Sequence, residues 1–407
     1  MEAVRQRRRL EDMSSRRWAD LPKDLPSLIA EKLQTHIDML RLRSVCASWR
    51  SSIPPIRRSP LFPVKLPTFI NEIEMFTGEL NNYDEHFILS ESTVYRLDPP
   101  ASNSSPENSG SWLLRIEETS VGLTRFENPL SKRFVRQPPY GFPKVLNLLD
   151  FRVSELCRVY NVSLNSGLSW MGISILSVAL SSRPRSSSDD YVLLAVRSDC
   201  KLCSILLGGD YKCTIIQDYD GLIFTDVINF NGKFYTIDTC CRVLVFEELS
   251  LQLIEDFRPA MPAPNICCCL RLVKLSGILL LVCPPFKGLT DFRCFKLNQE
   301  LRDLEEVNSF DDQVLFLGDQ FSFSVSTLEF TGLEPNCLYF ASQFHSSIKR
   351  DGVMQNVGNI GVFKVGGGNG GPLKYYPGNS KIFWPPPGWL QPGPPASSQD
   401  VVSVDMQ

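Results

Sequence analysis

The chain has little of what usually marks an enzyme. Its 407 residues hold only three histidines, His36, His86 and His345, scattered and beside no evident nucleophile. It contains neither a Gly-x-Ser-x-Gly elbow nor a His-Glu-x-x-His helix signature, so the corresponding hydrolase sites are not expected. Long hydrophobic runs are missing too, and without about 18 consecutive apolar residues no membrane span is expected. The best candidate, "LSGILLLVC" at Leu275 to Cys283, has the length of a buried strand. Charge is nearly balanced at a formal −3, which argues against a general nucleic-acid binder with its broad basic surface. The opening "MEAVRQRRRLEDMSSRR" is basic but is followed by no apolar stretch, so it is not read as a secretory signal. Its Arg5 and Arg7 to Arg9 fit a solvated tail or a nuclear-import patch.

Paired cysteine chemistry is also absent. Thirteen cysteines cannot all pair internally, and with no secretory signal they are expected as free thiols in a reducing, cytoplasmic or nuclear compartment. Cys200-x-x-Cys203 is a lone pair, with no second close Cys/His pair to complete the four ligands of a structural zinc site. Cys240-Cys241 and Cys267 to Cys269 lie in β-like contexts, where cysteine acts as a small apolar side chain. No metal and no cofactor is expected. "VGGGNGG" at Val365 to Gly371 has neither the lysine-serine/threonine pair nor the βαβ setting of a phosphate loop, and reads as a long hairpin turn before Pro372. Asp319 has no partner carboxylate at a useful spacing. The acidic stretch Asp303 to Asp312 reads as a solvated loop, or as a charged rim that steers a partner.

Hydrophobic residues make up 43% and charged residues 21%, as in soluble globular proteins. Two helical stripes stand near the N-terminus. Leu21, Leu25, Leu28, Ile29 and Leu33 fall at offsets 0, 4, 7, 8 and 12, on one face of a helix. Asp24 is placed to cap it, and Pro26 falls in the first turn, where its missing N–H costs little. Leu42, Val45, Cys46 and Trp49 make a second stripe, and the polar "QTHID" between the two reads as a connection. Periodicity alone fits a small helical cap or a module that docks onto another protein.

From about Leu66 to Leu390 short strand-like runs replace the helical stripes. Tyr191 to Val196, Lys201 to Leu207 and Cys213 to Asp218 follow at close spacing. Asp226 to Phe230 and Lys233 to Asp238 flank Asn231-Gly232, a strong hairpin signal, and Arg242 to Phe246 follows. Leu270 to Lys274 and Ile278 to Val282 flank Ser276-Gly277, with Phe292 to Asn298 next. Earlier, Ser111 to Val135 reads as three strands. These units of three or four strands recur about every 45 to 55 residues, a spacing that fits propeller blades, with a pair of β-sandwiches as the alternative. Pairing of the first strand with the last would close such a ring, which leaves the blade number open. Asp98 to Ser111, Ser181 to Asp190 and the end of the chain from Gln391 read as loops and a polar tail.

Two resemblances sharpen this reading. Leu21-Pro22 followed by Leu25, Ile29 and Leu33, and closed by Val45-Cys46-Ala47-Ser48-Trp49-Arg50, resembles an F-box over roughly Trp18 to Arg57. The resemblance implies three short helices that pack against a Skp-type adaptor, which links them to a cullin–RING ubiquitin ligase. Leu21, Pro22, Leu25 and Ile29 would then face the adaptor. Leu33, Leu42, Val45 and Cys46 complete the candidate surface, and Trp49 chiefly braces the bundle. A module this small leaves apolar surface for a partner to cover. At about 25 cal/mol per Å², covering roughly 600 Å² is worth ~15 kcal/mol before entropy and ordering are subtracted.

The second resemblance spans Ser111 to Leu390. "VINFNGKFYTID", "VKLSGILLLVC" and the segment Ile360 to Leu390, with Trp384-Pro385-Pro386-Pro387, are similar to the C-terminal β-propeller domain of the plant F-box proteins of KIB type. Cys240 and Cys241 stand where relatives commonly carry a glycine-containing turn. The expected fold is thus mainly β, with a small α module at 18–57 before a propeller at 66–390. The implied function is the non-catalytic, substrate-recruiting subunit of a ubiquitin ligase, with an unknown protein target. A propeller scaffold or a propeller enzyme without a ligase link is the alternative.

Overall fold

The computed structural model describes residues 21–22, 24–30, 33, 36–53, 62–66, 86–99, 110–120, 123–130, 151–164, 175–182, 190–208, 212–216, 219, 221–260, 270–285, 291–330, 332–341, 360–367, 369–375 and 382–383. The basic N-terminal stretch, Cys267 to Cys269, the strand expected at Val135, Trp384 to Pro387 and the C-terminal tail lie outside the described residues. The chain divides into one unit of Met1–Arg58 with Val153–Glu155 and another of Ser59–Arg152 with Leu156–Gln407.

The first unit holds three short helices, α1 (Asp24–Ala30), α2 (His36–Ser44) and α3 (Ala47–Ser52). Three expectations change here. Asp24 is the first helical residue, not the cap, and its carboxylate faces the positive end of the helix dipole. The second stripe is two helices, because Cys46 is extended (φ −162°, ψ 171°) and caps α3 by accepting the Trp49 N–H on its sulfur. "QTHID" is not all connection, since α2 begins at His36. The core of the unit is Ala30, Trp49 and Ile53, with Leu21, Met39, Leu42 and Cys46 packed around it. Ser27 Oγ donates to Ser52 O (2.9 Å) and Arg43 donates to Ile53 O, tying the first two helices to the end of the third.

The second unit is a five-bladed propeller. Blade 1 comprises β1 (Val64–Leu66), β2 (Phe87–Asp98), β3 (Trp112–Ser120) and β4 (Leu123–Glu127), with β5 (Arg152–Leu164) pairing β2. Blade 2 is β6 (Ile175–Leu180), β7 (Tyr191–Arg197), β8 (Leu202–Leu207) and β9 (Lys212–Ile215). Blade 3 is β10 (Phe224–Phe230), β11 (Lys233–Asp238), β12 (Val243–Glu247) and β13 (Leu253–Phe257). Blade 4 is β14 (Arg271–Leu275), β15 (Ile278–Cys283), β16 (Arg293–Asn298) and β17 (Asp303–Glu306). Blade 5 joins β18 (Gln313–Leu317), β19 (Ser322–Ser326), β20 (Cys337–Phe340), β21 (Gly361–Lys364) and β22 (Asn369–Pro372), with β18 and β20 parallel.

The apolar runs are continuous where a strand is covered on both faces, as in β7 and β18, because each blade packs between two others. Five apolar clusters fill the five gaps. One joins blades 1 and 2 around Leu89 and Leu193, and the next joins blades 2 and 3 around Leu194 and Phe234. Blades 3 and 4 meet at Ile237 and Leu281, and blades 4 and 5 at Val282 and Leu315. The fifth cluster brings Val94 and Leu113 of blade 1 against Phe316 and Tyr339 of blade 5, which closes the ring. Leu113 N–H donates to Ile382 O (2.8 Å), so the C-terminal segment adds itself to the first blade. Closure thus joins late chain to early chain, as the sequence reading allowed.

Turn chemistry explains the hairpins. Asn231 and Gly232 both have positive φ (51° and 73°), as do Ser276 and Gly277 (43° and 84°), the backbone of a two-residue turn matched to the twist of its strands. Cys240-Cys241 is a turn, not a strand, and Asp238 stands in for the missing glycine. Its Oδ1 accepts from the N–H groups of Cys240 (2.8 Å) and Arg242 (2.7 Å), which holds Cys241 at φ 61°. The glycine run is only half a turn: Asn369–Pro372 pairs with β21, and Gly370 lies against the Phe363 ring, where a Cβ would come within 2.9 Å. The acidic stretch is likewise only partly loop. Asp303–Glu306 is the outer strand of blade 4, with Glu306 on Arg293 (2.9 Å) and Glu305 near Lys296 (3.9 Å).

Candidate docking surface

Helix α1 has two faces, and its larger apolar side chains are on the outer one. Pro26 and Ala30, one turn apart, are buried, Ala30 in the core with Trp49 and Ile53. Leu25 (43% exposed), Leu28 (54%) and Ile29 (41%) project to the other side. Five of the large hydrophobic side chains exposed among the described residues lie on this small unit, namely these three with Leu40 and Val45. A globular domain does not ordinarily cluster leucines in water over so short a span, which makes these side chains a candidate docking surface.

The candidate residues therefore separate into two groups. Leu25, Ile29 and Val45 are exposed, and Pro22 is exposed beside them at the start of the unit, its carbonyl accepting from Leu25 N–H (3.0 Å). Leu21, Leu42 and Cys46 are half-buried against the core, Leu33 is half-buried beyond the end of α1, and Trp49 is buried. Leu28 and Leu40 join the exposed group although spacing did not single them out as contacts. Leu28 was visible in the first stripe. Leu40 was not, because it falls in neither stripe.

The propeller carries a different kind of construction on its axis. The first strands of blades 2, 3 and 4 and β19 of blade 5 stand innermost, and a buried polar plug ties them together at one end. Ser177 Oγ donates to Asp226 Oδ1 (2.5 Å), Leu272 N–H donates to Asp226 Oδ2 (2.8 Å), and Arg271 Nη1 lies 3.4 Å from Asp226 Oδ1. Arg271 Nη2 continues to the carbonyls of Gly318 (3.1 Å) and Asp319 (2.5 Å), and Asp319 N–H reaches Leu130 O in blade 1 (2.9 Å). Gln320 Nε2 spans from blade 5 to Ile175 O of blade 2. Burial raises the Asp226 carboxyl above its usual range, partly opposed by the Arg271 charge and the Ser177 hydrogen bond. No sequence signal foretold the plug, since Ser177, Asp226 and Arg271 lie 49 and 45 residues apart.

Elsewhere the ionisable groups read as structure. Arg115, held down by burial, pairs with Glu127 at 2.9 Å and lies over the Phe321 ring. Burial pushes the Cys294 thiol up to about 12, so it is an inert core side chain. No group of three or more His, Cys, Asp or Glu fit to hold a metal is found among the described residues. No helix described is long and apolar enough to cross a membrane.

Residues 86–364 match the family model described as KIB1-4 beta-propeller. Three curated relatives come from Arabidopsis thaliana. F-box protein At2g17036 is 27% identical, with 92% of this chain and 94% of the relative covered. F-box protein SKIP23 is 27% identical over 92% and 95% of the two chains. Putative F-box protein At5g60060 is 27% identical over 76% and 83%.

Proposed function

The chain belongs to the KIB1-4 beta-propeller family, and from that premise we propose that it is the substrate-recognition subunit of a Skp–cullin–F-box E3 ubiquitin ligase. The outer face of α1 and the exposed Val45 bind the Skp-type adaptor. The propeller recruits a target protein, and the chain itself carries out no covalent step: it raises the concentration of target lysines near a ubiquitin-loaded enzyme. The relatives named F-box proteins support this reading, as does the Leu-Pro opening of the helical unit. A cytoplasmic or nuclear site of action goes with it.

One observation carries the proposal: α1 spends its small residues, Pro26 and Ala30, on its own core and leaves Leu25, Leu28 and Ile29 in water. The test is capture of a purified Skp-type adaptor by the full-length chain. Leu25→Asp with Ile29→Asp places two charges on the exposed face and should abolish capture while the far-UV spectrum and melting temperature stay as in wild type. Equal capture by wild type and the double variant would overturn the assignment. Leu21→Ala is a poorer probe, because Leu21 also packs on the core of Ala30, Trp49 and Ile53, and its loss mixes folding with docking.

A further inference from the structure

We propose that Cys203 and Cys213, on neighbouring strands of blade 2, form a peroxide-oxidised dithiol, in which Cys213 is the attacking sulfur and Cys203 closes a reversible disulfide. Sequence spacing alone would put Cys203 with Cys200. The fold does otherwise, because Cys200 stands at φ 64° in the turn before β8, outside the apolar cluster that Cys203 enters. Register selects Cys213. Cys203 lies opposite Ile215 and Cys213 opposite Ile205, so the two cysteines are diagonal neighbours on one face of β8 and β9. That face is turned to blade 1, where Cys203, Ile205 and Leu207 are buried and Cys213 packs against them, half-buried. Arg197 belongs to the same face of β7, two residues beyond Ala195, which pairs with Cys203.

The two sulfurs are in unequal settings. The Cys203 thiol donates a hydrogen bond to Cys213, which together with burial pushes Cys203 well above the usual thiol range. The same bond holds the half-buried Cys213 below that range, against burial and with help from the Arg197 charge. One sulfur is thus a reachable nucleophile and the other a protonated thiol beside it, as an attacking and a resolving cysteine require. The Cys213 thiolate attacks one oxygen of hydrogen peroxide; the O–O bond breaks, and the hydroxide that leaves takes up the proton Cys213 released. Cys213 is then a sulfenic acid. The Cys203 sulfur attacks the Cys213 sulfur, the S–O bond breaks, and the departing oxygen carries off the Cys203 proton as water. The two thiols together give up two electrons, and one peroxide becomes two waters. Diagonal neighbours lie about 7–8 Å apart at Cα, beyond the roughly 4.4–6.8 Å of most disulfides, so β9 must move in by about 1 Å. It is free to do so, being four residues long and bonded on one side only among the described strands. A thiol reductant restores the pair by exchange. The inference does not depend on the ligase reading.

The test uses the reduced full-length chain with hydrogen peroxide as the probe. Brief exposure is followed by alkylation of the remaining thiols and trypsin digestion without reductant. Digestion puts Cys203 in the peptide 202–212 and Cys213 in 213–233, each as its sole cysteine. The expected product is these two peptides joined, which dithiothreitol separates. In Cys203→Ser the joined product should be lost and Cys213 trapped instead as the dimedone adduct of its sulfenic acid. In Cys213→Ser, Cys203 should stay reduced. Burial pushes the Cys337 thiol up to about 11 and that of Cys294 up to about 12. Both should oxidise at least about tenfold more slowly than Cys213, since their smaller thiolate fraction outweighs their greater nucleophilicity. A peptide 198–201 joined to 202–212 would make Cys200 the partner and sink the proposal. So would wild-type peptides 202–212 and 213–233 that stay unjoined at a peroxide dose that oxidises the exposed Cys240. Neither result needs a variant to fold.

Discussion

Arg271 and Asp226 meet between two neighbouring blades with both side chains buried, Nη1 to Oδ1 3.4 Å, and each is also held by a third blade, Asp226 by Ser177 and Arg271 by Gly318 O. A pair so placed adds less to stability than its charges suggest, because each ion gave up its water, but breaking it strands a charge.

Arg271→Met should therefore cost about 3–5 kcal/mol at neutral pH, and Arg271→Met with Asp226→Asn markedly less. Denaturant titration of the three proteins checks this. Equal losses in the single and double variants would show that the pair is not the cause.

The pH response of that pair has a fixed sign. The folded Asp226 carboxyl lies above its unfolded value, so between the two values the native state holds a proton that the unfolded chain has released. Stability then falls as pH rises through that window and is level above it. Asp256 on Arg242 and Glu306 on Arg293 act in the opposite sense, held low by their hydrogen-bonded arginines. Their contribution is present above the usual carboxylate range and is lost as pH falls through the folded values, and at these wet sites it is at most about 0.5 kcal/mol each. Asp226→Asn should abolish the fall in stability with rising pH, and Asp256→Asn should flatten the acid limb, as read from melting temperatures between pH 3 and 7.

The ring closes on aromatic stacking. Phe316 lies 4.7 Å from Phe323 and 5.0 Å from Tyr339, nearly parallel to both, in the cluster shared by blades 1 and 5. Phe316→Ala should cost about 3–5 kcal/mol. Leu301→Ala, at a side chain 72% exposed, should stay within about 0.5 kcal/mol. Comparable losses would mean that the ring is not sealed at this seam.

Gly232 sits at φ 73° in the β10–β11 turn. Gly232→Val should cost about 1–3 kcal/mol through backbone strain alone, since no atom lies nearer to its Cβ position than the Glu248 carboxylate at 3.7 Å. Denaturant midpoints measure it, and a neutral effect would mean that the turn is not the one described.

Trp49 and Leu25 separate folding from docking in the helical unit. Trp49→Ala empties the core beside Ala30 and Ile53 and should cost about 3–5 kcal/mol. Leu25→Ala should leave melting within about 0.5 kcal/mol of wild type and weaken only adaptor capture. Loss of folding in Leu25→Ala would turn the docking face into core.

Much of the propeller was legible because its signals are local. Asn231-Gly232 and Ser276-Gly277 fixed two hairpins to within a residue, since φ > 0 at both central positions is a demand on those residues alone. The second helical stripe was misread because its offsets satisfy one helix. Only the extended backbone of Cys46, held by its own sulfur, breaks it into two. The acidic run hid a strand because β17 is an outer edge, where solvent replaces the apolar alternation that marks a strand.

From its letters alone the chain determined where it turns, which runs form sheets and that its first helix is greasy on one side, since these depend on neighbours a few residues away. The number of blades, the burial of Asp226 against Arg271 and the side on which Leu25 ends up depend on which distant surfaces meet. Tertiary packing decided them, because a side chain's pattern fixes that it must be covered but not what covers it.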